Sequence, residues 1–114
     1  MGRTPALLGA RHPGIQALAD LMTGGPVWVK LSGIANISDA APGYDDVRAI
    51  HEVLLAARPE RLLWGSDWPH TKPAGTRPQT DALLRLFQEW TPPGQHTAIL
   101  STNAARLYRL DALQ

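Results

Sequence analysis

Apolar residues recur at helical spacing in three long segments of this chain. Residues 14–23 carry them three and four positions apart, at Ile15, Leu18, Leu21 and Met22. The same spacing predicts helices over residues 44–57 and 79–90. Each predicted helix is followed by glycine or proline, which cannot continue a helix without loss. Three amphipathic helices with defined ends are therefore expected.

Two short segments have the composition of buried strands. Residues 27–32 (VWVKLS) and 61–66 (RLLWGS) are rich in β-branched, aliphatic and aromatic residues. Two short helices are predicted at 95–100 and 103–110, the second capped by Thr102 or Asn103. Strands that alternate with helices form parallel βαβ units, so the fold class is predicted to be α/β.

Two strands are too few for a complete parallel sheet, because such sheets are normally covered on both faces inside a larger fold. Both outer edges of the pair would stay unpaired. The apolar strand residues would also lack part of their cover, among them Val27, Val29, Leu62 and Trp64. We therefore expect these 114 residues to be part of a larger α/β fold, or to complete one with another chain. Alone, the chain is predicted to be marginally stable or to aggregate.

Composition narrows the class of protein. Hydrophobic residues make up 44% and charged residues 18%, and the net charge is +1 without any run of like charge. This argues against nucleic acid or a membrane as the partner and leaves a small-molecule substrate. No cysteine is present, and the N-terminal Met-Gly-Arg-Thr-Pro lacks the apolar core of a signal peptide. A cytoplasmic protein is the expectation.

Asp67 is the main candidate for chemistry. It follows the second predicted strand directly, and ligands of α/β proteins bind at the carboxyl ends of strands. A carboxylate there can accept a proton from an attacking water or bind a metal ion. Gly65 would let a neighbour approach, and Ser66 could orient the carboxylate. The alternative is that Asp67 caps a following helix, which Pro69 disfavours.

Three motifs resemble one protein family. They are WGSDWPH at residues 64–70, VWVKLSG at 27–33 and NAARLY at 103–108. They are similar to the last motifs of the amidohydrolase-related (amidohydrolase 2) branch of the amidohydrolase superfamily, which includes 2-pyrone-4,6-dicarboxylate lactonase-like hydrolases. The initial Met-Gly-Arg resembles the end of that branch's D-H-[LM]-G-R motif. The resemblance implies that residues 1–114 are the C-terminal portion of a distorted (β/α)₈ barrel, carrying its last two parallel strands with their helices.

The resemblance also implies roles for individual residues. Asp67 would accept and return the proton of a water that opens a lactone or another cyclic ester. His70 would contact the substrate or hold its loop. Lys30 and Ser32 share one face of the first strand, where Lys30 would bind an anionic substrate group or pair with a barrel carboxylate. Many relatives carry arginine where this chain has Asn36, so a guanidinium for a substrate carboxylate is missing there.

The resemblance leaves the cofactor and the completeness of the site open. The superfamily usually binds one or two divalent ions such as zinc, whereas the lactonase branch is implied to work without one. Asp67 would be a metal ligand only if a metal is used. The H-x-H pair and the sixth-strand histidine of the family are not in this sequence. The alternative function is therefore an inactive fragment, or a subunit that complements the missing N-terminal barrel portion.

Three histidines and two tryptophans are predicted to have structural roles. His51 is predicted to lie on the surface of its helix, and His12 and His96 in loops or caps. Trp64 and Trp68 are predicted to pack rather than to take part in chemistry, since large aromatic side chains fill space at strand ends.

Overall fold

A pair of parallel strands lies at the centre of the molecule. The computed structural model describes residues 1–71 and 77–110, so residues 72–76 and 111–114 of the predicted domain lie outside it. Strand β1 (Val29–Leu31) pairs in parallel with β2 (Leu62–Trp64). The predicted α/β class and the adjacent parallel pairing are confirmed. Each strand has three residues rather than the six predicted.

The described residues also form four α-helices, and the residues at the starts of α1 and α2 explain where these two begin. Helix α1 is Pro13–Gly24, α2 is Asp45–Ala57, α3 is Thr80–Trp90 and α4 is Asn103–Tyr108. Helix α2 connects the two strands, which makes the predicted βαβ unit. Its first turn carries two aspartates, which suit the positive end of the helix dipole. Helix α1 starts with proline after His12, whose ring nitrogen Nδ1 accepts a hydrogen bond from the Gly14 amide at 3.1 Å.

The segment after α3 differs from the two predicted helices. It consists of a 3₁₀ turn at Pro93–Gln95, a π-helical turn at Ala98–Thr102 and then α4. The predicted cap of α4 is wrong, because neither Thr102 nor Asn103 makes a side-chain capping bond. The Asn103 amide instead donates to the Pro59 carbonyl at 3.0 Å and to the Leu62 carbonyl at 2.8 Å. Asn103 therefore joins α4 to β2.

One side of the sheet, here called the covered face, is packed against the helices. Its strand residues Val29, Leu31 and Leu62 are buried, and Trp64 is half-buried. The helices contribute the other large members of this core: Ile15, Met22, Val47, Ile50, Leu54, Leu83, Phe87 and Trp90. The prediction that Val29 and Leu62 lack cover is therefore wrong, since the helices of this chain cover both. Val27 and Trp64 remain only partly buried.

His51 is buried, which corrects its predicted surface position. The residue is 3% exposed, and its Nε2 shares a 2.9 Å hydrogen bond with the Thr91 hydroxyl. The rings of Phe87 and Trp90 meet it edge-on, with centroids 6.1 and 5.6 Å away. Burial lowers the pKa of His51 to about 4, with Glu52 acting weakly in the opposite direction. The histidine is thus a neutral core residue at neutral pH.

The other side of the sheet, here called the open face, carries Lys30, Ser32 and Gly65. Lys30 is exposed, and Ser32 and Gly65 are half-buried, while Leu63 opposite Lys30 is buried. Within residues 1–71 and 77–110, β1 and β2 pair only with each other, so each strand has one edge without a neighbouring strand. No helix of these two ranges is long and apolar enough to cross a membrane.

Candidate active site

Asp67 lies beyond the end of β2, at the mouth of an open cleft. The cleft has a volume of about 590 Å³ and is lined by the loops that follow the two strands. Its lining includes Ser32, Gly33 and Asn36 from the first loop, and Asp67 and Thr71 from the second. The carboxyl ends of parallel strands bring these loops to one edge of the sheet. The position of Asp67 is thus a consequence of the βαβ topology.

The backbone around Asp67 is in an unusual conformation. Asp67 and His70 both have positive φ, at 61° and 57°, and the Trp68–Pro69 peptide bond between them is cis. The His70 amide donates to the Asp67 carbonyl at 2.8 Å, which closes a tight turn. Positive φ is uncommon for residues other than glycine and clusters at functional sites. No helix starts between Asp67 and residue 71, so the capping alternative is wrong.

The Asp67 carboxylate accepts a hydrogen bond from Asn36, a contact that was not predicted from the sequence. Asn36 donates from Nδ2 to Asp67 Oδ2 at 2.9 Å, across 31 positions of the chain. Ser66, which was expected to orient the carboxylate, has its hydroxyl engaged by the Trp68 amide at 3.2 Å. The bond from Asn36 involves only one carboxylate oxygen, and the carboxylate as a whole is exposed to the cleft.

The other predicted site residues lie at different depths. Ser32 lines the cleft together with Asp67, whereas Lys30 and His70 are not among the lining residues. Lys30 lies one step further back on the open face, packed against Gly65. A Cβ placed on Gly65 would come within 3.3 Å of the Lys30 side chain, so the predicted close approach at this glycine is confirmed. Ser32 and Asp67 therefore line the same cleft, and Lys30 lies beside it.

His70 is 8% exposed, so it is a buried residue at the end of the turn. Its amide makes the bond to Asp67, and its ring nitrogen Nε2 is buried without a hydrogen-bond partner among the described residues. A buried nitrogen of this kind has unused hydrogen-bonding capacity. Holding the loop, one of the two roles considered for His70, agrees with this location.

Arg3 also lines the cleft, and sequence reasoning gave it no role. It brings a permanent positive charge to the same cavity as Asp67. Its place in the Met-Gly-Arg segment, which resembles part of a family motif, was the available signal. Asn36 was noticed only as a missing arginine, and its bond to Asp67 depends on a contact between two distant loops.

The two tryptophans of the motif have different environments. Trp64 packs beside Phe87, with ring centroids 6.1 Å apart, as expected for a space-filling residue. Trp68 is 76% exposed, so the prediction that it packs is wrong. His12 is the N-cap of α1 and His96 the C-cap of the 3₁₀ turn Pro93–Gln95, as expected, and His96 Nε2 bonds to the Thr91 carbonyl.

Whether the residues around Asp67 could hold a metal ion depends on which ligand atoms they offer. Over residues 1–71 and 77–110, no three histidine, cysteine, aspartate or glutamate side chains group together as a metal site. Asp67 could supply one oxygen, but its nearest polar partner is an amide NH₂, which donates hydrogen bonds and does not ligate. These residues therefore do not form a metal site by themselves.

Comparison with known proteins agrees with this arrangement of strands and loops. The sequence model of the family described as amidohydrolase (amidohydrolase 2) matches residues 1–110. The chain belongs to the amidohydrolase family. This confirms the resemblance inferred from the three motifs.

Individual amidohydrolase relatives are similar over almost all of the chain. A 4-sulfomuconolactone hydrolase of Rhizobium radiobacter is 37% identical over 110 residues, which is 94% of this chain and 37% of the relative. A D-galactarolactone isomerase of Agrobacterium fabrum is 32% identical over 106 residues, which is 90% of this chain and 36% of the relative. The crystal structure of a 2-pyrone-4,6-dicarboxylic acid hydrolase of Pseudomonas putida, so described provisionally, superposes with a TM-score of 0.78 at 31% identity.

The matched length is a fact of its own. The chain spans little more than a third of the curated relatives, and 41% of the Pseudomonas putida structure while 96% of this chain is covered. These shares fit the prediction that the sequence corresponds to a C-terminal portion of the family's fold.

Proposed function

We propose that this chain carries the proton-transfer carboxylate of an amidohydrolase-family enzyme that opens a lactone or another cyclic ester with water. The observation that carries the proposal is the position of Asp67. It lies beyond the carboxyl end of β2, in a strained turn at the mouth of the cleft, with one oxygen held by Asn36. The rest of the site would come from a barrel portion that precedes this segment in relatives of the family.

In this proposal Asp67 acts as a general base and then as a general acid. Its carboxylate accepts a proton from water as the water attacks the ester carbonyl, and returns the proton to the alkoxide that leaves when the ring opens. The reaction consumes one water and produces one hydroxy acid. Asp67 is suited to this because it is exposed to the cleft while Asn36 restricts its rotation.

The charges near the cleft favour a substrate with an anionic group. Arg3 lines the cavity, and Lys30 lies beside it on the open face. The names of the relatives, a sulfomuconolactone hydrolase and a pyrone dicarboxylic acid hydrolase, describe anionic lactones. Asn36 provides no charge, so an anion would be bound by Arg3, by Lys30 and by residues of the preceding portion.

The test compares Asp67→Asn with wild type after the preceding barrel portion of a relative has been joined to this chain. The substitution keeps the shape of the side chain and removes the base. Turnover of a lactone should fall by ~10²–10⁴-fold, the range for general acid–base catalysis, while substrate binding changes much less.

The matched control is Asp81→Asn, an equal change at an exposed aspartate of α3 that pairs with Arg85. It should turn over like wild type. An Asp67→Asn enzyme within a few-fold of wild type would show that Asp67 is structural. The 114-residue chain serves as a third sample and should hydrolyse lactones poorly or not at all.

A second candidate function is supported by the open face. It carries the exposed Lys30 and the half-buried Ser32, and within residues 1–71 and 77–110 each strand has one edge without a neighbouring strand. The chain would then be a subunit without activity of its own, whose partner is a separate N-terminal barrel portion. Mixing the purified chain with such a portion should give a 1:1 complex by size-exclusion chromatography with light scattering, and two separate peaks would refute it.

A further inference from the structure

The loop after β1 contains two residues that lie close to the Asp67 carboxylate, Gly33 and Asn36. We propose that Gly33 and Asn36 together form a positioning device for the Asp67 carboxylate. The proposal rests on the proposed function, since it assigns to Asp67 the role of the proton-transfer group. It goes further by naming the two residues that keep this group in place.

Asn36 reaches Asp67 because of a short 3₁₀ turn. The turn covers Ile34–Asn36, and the Asn36 amide donates to the Gly33 carbonyl at 2.9 Å. This directs the Asn36 side chain back over Gly33 and toward the loop after β2, where Nδ2 lies 2.9 Å from Asp67 Oδ2. A hydrogen bond to a charged acceptor is stronger than one between neutral groups. The bond thus links the two strand-end loops at the carboxylate.

Gly33 is the residue that makes room for this bond. Its φ is +69°, a left-handed conformation that favours glycine. A Cβ at this position would lie 2.9 Å from Asn36 Nδ2 and 3.5 Å from Asp67 Oδ2. A methyl group would therefore push the Asn36 amide away from the carboxylate. Gly33, the last residue of the VWVKLSG motif, therefore serves the site in two ways. Its backbone adopts a positive φ, and its lack of a side chain leaves room for the Asn36 amide.

The device has a chemical purpose in the proposed reaction. A carboxylate on an exposed turn rotates freely about its side-chain bonds, and each misplaced rotamer is unproductive. Fixing Oδ2 limits that rotation and leaves Oδ1 for the water. Asn36 and Gly33 are positioning residues, because they act through Asp67 and transfer no proton themselves.

The first experiment examines the bond in the isotope-labelled 114-residue chain by NMR. The Asn36 side-chain amide resonance should move upfield in Asp67→Ala, where the acceptor is absent. The side-chain amide of Gln16, which donates to the Ala10 carbonyl far from the cleft, should not move. An Asn36 resonance that is the same in both proteins would overturn the proposal, whatever the activity.

The second experiment measures kinetics in the barrel-restored enzyme. Asn36→Ala and the isosteric Asn36→Asp should each lower kcat roughly 10- to 100-fold with KM changed by less than about threefold, as for a misplaced catalytic group. Asn36→Asp fills the same space without a donor, so a packing role would survive in it and a positioning role would not. Gln16→Ala is the control and should match wild type. Asn36 variants that also match wild type would overturn the proposal.

Gly33→Ala tests the same device from its other residue. Gly33→Ala should move the Asn36 side-chain amide resonance upfield, because the bond to Asp67 is lost. It should also lower kcat as Asn36→Ala does. The control is Gly9→Ala, which also forces alanine into positive φ, at +80°, but has no atom within 4 Å of the added Cβ. If the restored wild type opens no lactone, the proposed function fails. The resonance shifts of Gly33→Ala and Gly9→Ala then still decide whether Gly33 and Asn36 hold the carboxylate.

Discussion

The covered face and the open face belong to the same three-residue strands and differ in what they contact. On the covered face, Val29, Leu31 and Leu62 are buried under helices of this chain. On the open face, Lys30 is exposed and Ser32 lies at the edge of the cleft. A single residue step along a strand separates a core position from a site position, because side chains alternate between faces.

The two faces therefore separate the residues expected to stabilise the fold from those expected to act in binding and catalysis. The covered face has its apolar partners within these residues, so its substitutions should affect the free energy of unfolding. The open face presents groups that need partners from elsewhere, so its substitutions should affect binding and catalysis with little effect on stability. The four changes below test that division.

The largest effect is expected for Leu62→Ala on the covered face. Leu62 is fully buried at the centre of the core, and removing three carbons leaves a cavity beside β1 and the helices. The expected loss in the free energy of unfolding is ~2–5 kcal/mol. In a chain of marginal stability this abolishes the cooperative transition in urea. A variant with the wild-type midpoint would show that the core is not packed as described.

The next effect is a pH dependence caused by His51. Its pKa is lowered by burial to about 4 in the folded chain, against about 6.5 for an unfolded histidine. The unfolded state therefore binds more protons between these values, so stability falls as the pH is lowered from 6.5 toward 4. The resulting loss in the free energy of unfolding approaches about 3 kcal/mol as the pH falls toward 4, and it is absent above pH 6.5.

His51→Gln should flatten this slope in urea titrations between pH 4 and 6.5. Thr91→Val is the matched control, because it removes the hydrogen-bond partner of His51 but keeps the ring buried. It should lower stability at every pH and retain the slope. An unchanged slope in His51→Gln would place the responsible group elsewhere.

A smaller effect is expected for Asn103→Ala at the junction of α4 and β2. The change removes hydrogen bonds to the Pro59 and Leu62 carbonyls, for an expected loss of ~1–3 kcal/mol in stability. Thr102→Ala at the neighbouring exposed position should cost much less, since its side chain makes no capping bond. Equal losses in the two variants would contradict the assignment of Asn103.

The smallest effect is expected for Lys30→Ala on the open face. Lys30 is exposed, so its loss should change the free energy of unfolding by no more than about 0.5 kcal/mol. In the barrel-restored enzyme the same change should raise KM for an anionic lactone. A stability loss as large as that of Leu62→Ala would end the distinction between the two faces.

The covered face was largely predictable from sequence, although the cover of Val29 and Leu62 and the burial of His51 were not. The helical spacing gave α1, α2 and α3 to within one residue at each end. His51 was predicted to lie on the surface of its helix. Its position nevertheless completes the series Val47, Ile50, Leu54, which is the buried stripe of α2. The period alone would have predicted burial, with Thr91 as a partner that only the tertiary fold reveals.

The open face was predictable only in part. Asp67 could be located because a buried strand runs directly into it. The bond from Asn36 could not be, since it joins residues 31 positions apart through two irregular loops. Trp68 was expected to pack because large aromatic side chains usually do, but the turn at Asp67 directs it outward. Irregular backbone follows no periodicity, so contacts built on it are not visible in a sequence pattern.

Asn103 has a consequence for the order in which this chain is completed during translation. The Gly65 amide donates to the Leu31 carbonyl in β1, so by alternation the Leu62 carbonyl points to the other edge of β2. Asn103 supplies the hydrogen bond there from 41 positions further along. At ribosomal speeds that distance corresponds to roughly 2–8 s during which the edge of β2 is made but not yet closed. For that interval the Leu62 carbonyl lacks the hydrogen bond that Asn103 later supplies.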